Sequence, residues 1–240
     1  MDIVCSFYYS SNEERQKEIE RALVNNLSKS YINKYHIYIT NDDYNRFINT
    51  SIYNNNISKI IIIKSENQPT YSDYIKYVCT IDNKICCICN SDIEFIIEDS
   101  NISLLDMLYN EKKCFFLTRH EYDSSYPLIT NFGGSHDAFI FHSTVLKNSI
   151  LDNNLNYINY VQNTWGIEAL LTIYFIEKLN YQILNPCYQI KLIHHHKSDV
   201  RLWTMNESRN KIIGYTSPTP NNHQSGIHNK HMIYPVKLSL

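Results

Sequence analysis

Through the first ninety positions, short runs of apolar and β-branched residues alternate with stretches in which apolar side chains recur at helical spacing. The run at 3–8 closes on Ser10, Ser11 and Asn12. Residues 13–27 then place Ile19, Leu23 and Leu27 on one helical face behind Asn12, a residue type that caps helices. Runs at 36–40 and 59–64 read as two more strands, and the polar stretch between them, 41–58, has room for a turn of helix. Residues 72–80 read as a helix turning Tyr74, Ile75, Val78 and Cys79 inward. The run at 85–89 is the most buried-looking strand of the chain, and it stops at Asn90, Ser91 and Asp92. Continuous apolar runs of this length suit parallel strands covered on both faces. Beyond Asp92 the pattern loosens: 103–109 reads as helical, 114–119 and 138–142 as strands, and 156–161 is indistinct. From Gly166 onward, Ile167, Leu170, Leu171, Tyr174, Phe175 and Leu179 form the broad apolar face of the clearest helix. The stretch from Thr216, rich in Ser, Pro and Asn, is loop-like. There is no internal repeat and no linker. The alternation predicts an α/β domain with a mostly parallel central sheet, Rossmann-like and flanked by helices, and a mixed second half.

Composition narrows this picture. At about 150 residues per domain, 240 residues allow one α/β domain or two small ones, and the missing linker favours one. Hydrophobic residues at 43% and charged residues at 19% can build a real core, which excludes wholesale disorder. Lys and Arg total 22 against 24 Asp and Glu, so no global field holds nucleic acid or an anionic membrane, and any polyanion must be gripped locally. Only 5 Gly beside 20 Tyr, with many Asn, Ile and Lys, reflects AT-rich coding DNA more than fold. The start carries an acid and no basic, apolar leader, and the longest aliphatic run, 60–63, is far below the roughly 20 residues that span a bilayer. Seven Cys is an odd number, and Cys86, Cys87 and Cys89 cannot bridge one another comfortably along a strand. The expectation is a soluble, cytoplasmic protein with reduced thiols.

Ligands of an open α/β sheet bind outside the carboxyl ends of the strands, and four places there carry candidate chemistry. Asp92, with Asn90 and Ser91, directly follows the strand 85–89; a carboxylate so placed binds a hard divalent cation shared with phosphates. The same residues also suit an Asx turn that merely ends the strand. His194, His195 and His196 alternate sides if extended, so that His194 and His196 share a face. Imidazoles are transition-metal ligands, although a His triplet is equally an ordinary exposed loop. Glu168 falls in the first turn of the helix opened by Trp165 and Gly166. The macrodipole there favours an anion and predicts a carboxylate ionised at neutral pH, able to take a proton from a sugar hydroxyl; acids also occur in first turns simply because they stabilise helices. Finally, Gly133, Gly134, Ser135, His136 and Asp137 precede a strand, either as a loop aiming Asp137 at a ligand or as a tight turn. Arg119 follows another strand, placed for phosphate or sugar or for a surface pair with Glu121.

Other familiar signatures are missing from the sequence. His223, His228, His231 and the remaining cysteines make no paired C-x-x-C site, and Cys86, Cys87 and Cys89 suit a core. Neither G-x-x-x-x-G-K-[ST] nor G-x-G-x-x-G occurs, which removes the P-loop and dinucleotide-fold classes. The tyrosines are dispersed without a basic stripe, so no nucleic-acid partner is expected.

Taken in order, these pieces resemble the small GT-A-like glycosyltransferases, nucleotide-sugar-dependent enzymes of bacteria and large DNA viruses. The resemblance covers residues 3–201. It is carried by Phe7-Tyr8 with Arg15-Gln16; by the stretch from Gln68 to Asp73; by Cys89-Asn90-Ser91-Asp92-Ile93; and by Phe116-Leu117-Thr118-Arg119. Further along it includes the stretch from Ser135 to Phe141, Gly166-Ile167-Glu168, Asn185-Pro186, Ile190-Lys191 and the His triplet. The resemblance implies a divalent metal, Mn²⁺ or Mg²⁺, bound by Asp92 as the last acid of a D-x-D-like motif, with His194 or His196 completing its shell. Asn90 stands where the first acid is often found, which leaves that ligand neutral. It also implies Glu168 as general base of an inverting enzyme and Asp137 and Arg119 at the donor sugar or acceptor. Tyr8, Tyr71 and Asp73 would hold the nucleoside, with Asn90 and Ser91 beside it. The implied partners are a nucleotide-sugar donor, first of all a UDP-sugar, and a glycan or other hydroxyl acceptor. Residues 1–95 would then form the nucleotide half, 96–205 the acceptor half and 206–240 a tail. Two alternatives stand beside this: a sugar-nucleotide-binding or scaffolding protein without turnover, favoured by Asn90, and a nucleotidyltransferase, disfavoured by the absence of a Gly-rich basic loop.

Overall fold

The computed structural model describes residues 1–109, 111–129, 136–150, 154–162, 164, 166–198 and 232–239. Trp165, the loop 133–135, Arg201 and the late histidines lie outside these, as does the first part of the Ser/Pro/Asn-rich tail.

The first half assembles as its periodicity predicts. β1 (Asp2–Ser6) leads into α1 (Glu13–Leu27), where the Asn12 side chain accepts from the Arg15 amide at 2.9 Å and satisfies a donor the first turn leaves free. β2 (Lys34–Thr40) and β3 (Ile60–Ser65) flank two short helices, α2 (Asn41–Ile48) and α3 (Ser51–Asn55), each capped by a threonine. α4 (Tyr71–Val78) starts on a capping box formed by Thr70 and Asp73. β4 (Ile85–Cys89) is buried at every position.

The second half departs from the reading in several places. The turn after β4 feeds directly into another strand, β5 (Ile93–Ile97), and the helix expected at 103–109 is a 3₁₀ helix over Asp99–Leu108. The strand expected at 114–119 is two: β6 (Lys113–Leu117) stays in the large sheet, while β7 (Arg119–Glu121) leaves it. Thr118 sits at the break, and the buried Asn185 amide accepts from its backbone at 3.2 Å and donates to its hydroxyl at 2.9 Å. β8 (Ala138–His142) is followed by α5 (Ser143–Ser149) and, at the indistinct stretch, a 3₁₀ turn over Asn154–Ile158. α6 (Ile167–Ile173) continues into a π turn, Tyr174–Lys178, before β9 (Gln182–Leu184) and β10 (Ile190–His194). Residues 232–239 return alongside, with Val236 bonded to Asn185 and Leu238 to Gln189.

The large sheet runs β3-β2-β1-β4-β8-β6-β9, mostly parallel, with β8 antiparallel to both neighbours. Its inner strands, β2, β1, β4, β8 and β6, are buried on both faces, which explains their unbroken apolar character, while the edge strands β3 and β9 are partly exposed. Ile3, Cys5, Cys87 and Ile140 face one cluster, with Ile19 and Leu23 of α1; Val4, Cys86, Ile88 and Phe141 face the other, with Tyr74 of α4 and Leu171 of α6. A small sheet, β5-β10-β7, lies on the first side, its Phe95 and Leu192 joining that core. Along the side of β5 away from β10, Asn26 of α1 bonds the Ile93 carbonyl at 2.7 Å and the Phe95 amide at 2.9 Å. The Tyr31 hydroxyl bonds the Phe95 carbonyl at 2.9 Å and the Ile97 amide at 3.2 Å. All seven cysteines are free, and no helix among the described residues is long and apolar enough to cross a membrane.

Candidate active site

The turn from β4 into β5 leaves Asp92 where the two sheets meet in sequence, and β10, antiparallel to β5, delivers the histidines to it. His194 pairs with Ile93 in register, and the His195 amide donates to the Asp92 carbonyl at 2.9 Å. His194 Nε2 lies 3.1 Å and His196 Nδ1 3.5 Å from Asp92 Oδ2, whereas His195 turns to the other side, its Nε2 2.8 Å from Glu94 Oε2. The triplet's alternation therefore sends two rings to Asp92 and the third away. At 2% exposure the Asp92 carboxylate needs pairing, since an unpaired buried charge is severely penalised. Arg15 supplies a third partner, Nη2 to the same Oδ2 at 2.7 Å. Burial by itself raises the Asp92 carboxyl, but His194, His196 and Arg15 reverse the effect and hold it well below the usual carboxylate range. Burial likewise pulls the His194 imidazole down, yet Asp92 and Glu121 lift it to about 9. Glu121 is drawn down to about 2, chiefly by His194 and, against burial, by Arg119.

A second group adjoins the first. Asp137, also buried, accepts from the Asn90 amide at 3.1 Å through Oδ1 and from Arg119 Nη1 at 3.4 Å through Oδ2; Arg119 Nε also holds Glu121 at 2.9 Å. Asn90 thus faces an acid from β8's leading turn. Glu168 is partly buried at the start of α6, behind Gly166, whose φ of 86° belongs to the left-handed region. Its ionisation corrects the expectation from the helix dipole. Burial pushes the Glu168 carboxyl up to about 8, Asp137 adds to this and Arg119 only partly offsets it, so the group is mostly protonated at neutral pH. A first-turn dipole contributes modestly, and desolvation outweighs it here.

The other sequence candidates are spread around this centre. Tyr8 lies in electrostatic contact with Arg15, and Ser91 is buried beside Asp92. Tyr71 is buried and feels the charges of Glu168 and Asp137. The Asp73 carboxylate is engaged by the Thr70 amide and hydroxyl, at 2.9 and 2.8 Å, in α4's capping box. An open groove of ≈ 580 Å³ between the end of β3 and α4 is lined by Ser65, Gln68, Asp73 and Tyr77, and by no residue of the Asp92 cluster. Sequence reasoning quoted Arg15 only within the resemblance, with no role, and passed over Glu18 and Gln162. The last is buried and ties the Cys89 carbonyl, at 3.1 Å, to the Tyr74 hydroxyl, at 2.9 Å. The missed signal was position: Arg15 and Glu18 occupy the same inward stripe of α1 as Ile19, Ala22 and Asn26, where a charge needs a partner.

Asp92, His194 and His196 offer one carboxylate oxygen and two imidazole nitrogens within 4.8 Å of one another. This mixed set suits a borderline first-row divalent ion better than Mg²⁺ or Ca²⁺, which prefer oxygen throughout. Of the outer nitrogens, His194 Nδ1 lies 3.7 Å from Glu121 Oε2, on the side where a second shell would sit, whereas His196 Nε2 is buried with no hydrogen-bond partner. The residues fit such an ion.

The sheet order and the small second sheet make a GT-A-like fold. The mannosyltransferase PcManGT from Pyrobaculum calidifontis, solved with GDP-Man and Mn²⁺, matches over 82% of this chain at TM-score 0.55 and 10% identity. TarS (1-349) from S. aureus, solved with UDP-GlcNAc, matches over 83% at TM-score 0.50 and 9% identity. This chain spans 57% and 61% of those two. No protein-family model matches the sequence, and no curated protein matches it.

Proposed function

We propose that the protein is a divalent-metal-dependent glycosyltransferase that moves a sugar from a nucleotide-diphosphate donor to an acceptor hydroxyl, with inversion. The observation that carries this reading is the convergence of Asp92, His194 and His196 at the strand ends of a GT-A-like sheet. Asp92, His194 and His196 would hold an ion such as Mn²⁺, which would supply positive charge for the leaving diphosphate. Arg119, anchored by Asp137 and Glu121, orients the donor sugar or acceptor, and Asn90 and Ser91 line the approach. Glu168 removes the acceptor proton; a base whose own affinity for protons lies near working pH is suited to that step. Tyr8 contributes at the nucleoside end, and Tyr71 and Asp73 shape that end through the start of α4. UDP- and GDP-sugars are the first donors to try, because the two similar structures bind one of each. Seven free thiols favour a reducing, cytoplasmic setting.

A second reading, a sugar-nucleotide-binding protein without turnover, is favoured by Asn90, whose amide is spent on Asp137. Incubation with UDP- and GDP-sugars and Mn²⁺ separates them. Release of nucleoside diphosphate supports the enzyme, and saturable binding without release supports the binding protein.

A further inference from the structure

Two charged residues one helical turn apart on α1, neither of them among the three candidate metal ligands, hold the Asp92 cluster together from behind. Arg15 reaches three elements at once: Asp92 Oδ2 at 2.7 Å, the His195 carbonyl at 3.2 Å and Glu18 Oε2 at 3.2 Å. Glu18 takes the other side of the histidine arm. Its Oε1 accepts from the amides of Lys197, at 2.6 Å, and Ser198, at 2.9 Å, and its Oε2 accepts from the Ser198 hydroxyl at 2.9 Å. Glu18 is itself buried, yet both oxygens are fully engaged.

His196 lies beyond the end of β10, where no ladder bond fixes it. Its neighbours on both sides are nonetheless fixed: the His195 amide and carbonyl by Asp92 and Arg15, and Lys197 and Ser198 by Glu18. The imidazole is held at Asp92 by backbone that α1 grips. Lone helix formation does not require a buried Arg-Glu pair there, since an apolar pair of similar volume is commonly as stable.

We propose that Glu18, with Arg15, is a positioning residue that sets the cation affinity of the Asp92, His194 and His196 cluster by fixing the backbone on either side of His196. The proposal rests on the cation site argued above. Groups that orient metal ligands without touching the metal typically alter affinity by about 10- to 100-fold when removed.

The test is calorimetric titration of the full chain with Mn²⁺ alone, at a temperature where the metal-free variants remain folded by circular dichroism. Glu18→Gln keeps the volume and one acceptor oxygen but places an NH₂ donor against either the Lys197 and Ser198 amides or the Arg15 guanidinium, where an acceptor is needed. It should bind Mn²⁺ about 10- to 100-fold more weakly than wild type. Ser198→Ala, which removes one bond to Glu18 and leaves the fold intact, should weaken binding in the same direction by a smaller factor. A merely structural Glu18 would lower the melting temperature of the metal-free protein and leave the affinity of the folded fraction unchanged. Wild-type affinity in both folded variants, or in Ser198→Ala should Glu18→Gln not fold, overturns the proposal. Wild-type protein that takes up no Mn²⁺, indistinguishable from Asp92→Ala, overturns the cation site itself, which is a separate result.

Discussion

Glu168 and His136 are ionisable side chains whose surroundings move them in opposite directions, and each makes a pH-dependent statement. Burial lifts Glu168 to about 8, so wild-type transfer should climb with pH and level off above that value as the carboxylate forms. Glu168→Gln should lose about 10²- to 10⁴-fold in kcat and lose that ascending limb, while donor binding measured by titration stays near wild type. His136, 2% exposed beside Phe116, is pushed down to about 4 by burial. Below its ordinary value of 6.5 the unfolded chain takes up a proton that the folded chain refuses, so stability falls as pH drops from about 6.5 towards 4. The full effect is roughly 3 kcal/mol. Chemical denaturation across that range should show a shallower decline for His136→Gln; an equal slope would assign the acid sensitivity elsewhere.

Among the elements, α6 and β5 show what periodicity reveals and what it hides. The apolar face of α6 was plain in the spacing of Leu170, Leu171 and Tyr174, but nothing local foretold the π turn that follows. Gly166 at φ 86° starts that helix, and Gly166→Ala should cost about 1–2 kcal/mol in denaturant unfolding because a Cβ is disfavoured there. The same variant should lower kcat more than it raises donor KM, since Glu168 follows two residues on. β5, with three isoleucines and a phenylalanine in five residues, carried a strand signal that the turn residues just before it masked, whereas β7 is only three residues long and finds its partner, β10, far along the chain. The cluster depends on the pairing of β10 with β5. Shifting β10 by one residue against β5 would turn His195 towards Asp92 and point His194 and His196 away. Asp92 and the histidines were therefore legible as donor types from their place after a strand and from their alternation. Arg15 and Glu18 were not, because their partners lie about 77 and 180 residues away.

For the molecule as a whole, an ion at the Asp92 cluster would bind the folded chain alone, since the donors come from sequence positions a hundred residues apart. At 100 times its dissociation constant such an ion adds about 2.7 kcal/mol, which for a chain of this size raises Tm by roughly 5–10 °C. Chelation with EDTA should reverse the shift, and Asp92→Ala should show none in differential scanning calorimetry. The two-faced burial of the large sheet's inner strands was readable from their unbroken apolar runs, whereas the second sheet, which brings the histidines to Asp92, was not. That second sheet ends on one flank in β5, where Asn26 and Tyr31 occupy four successive backbone groups. A strand from another molecule, arriving there to zip on, meets a border already spoken for. Two side chains thus withhold the template on which aggregates of β-rich proteins grow.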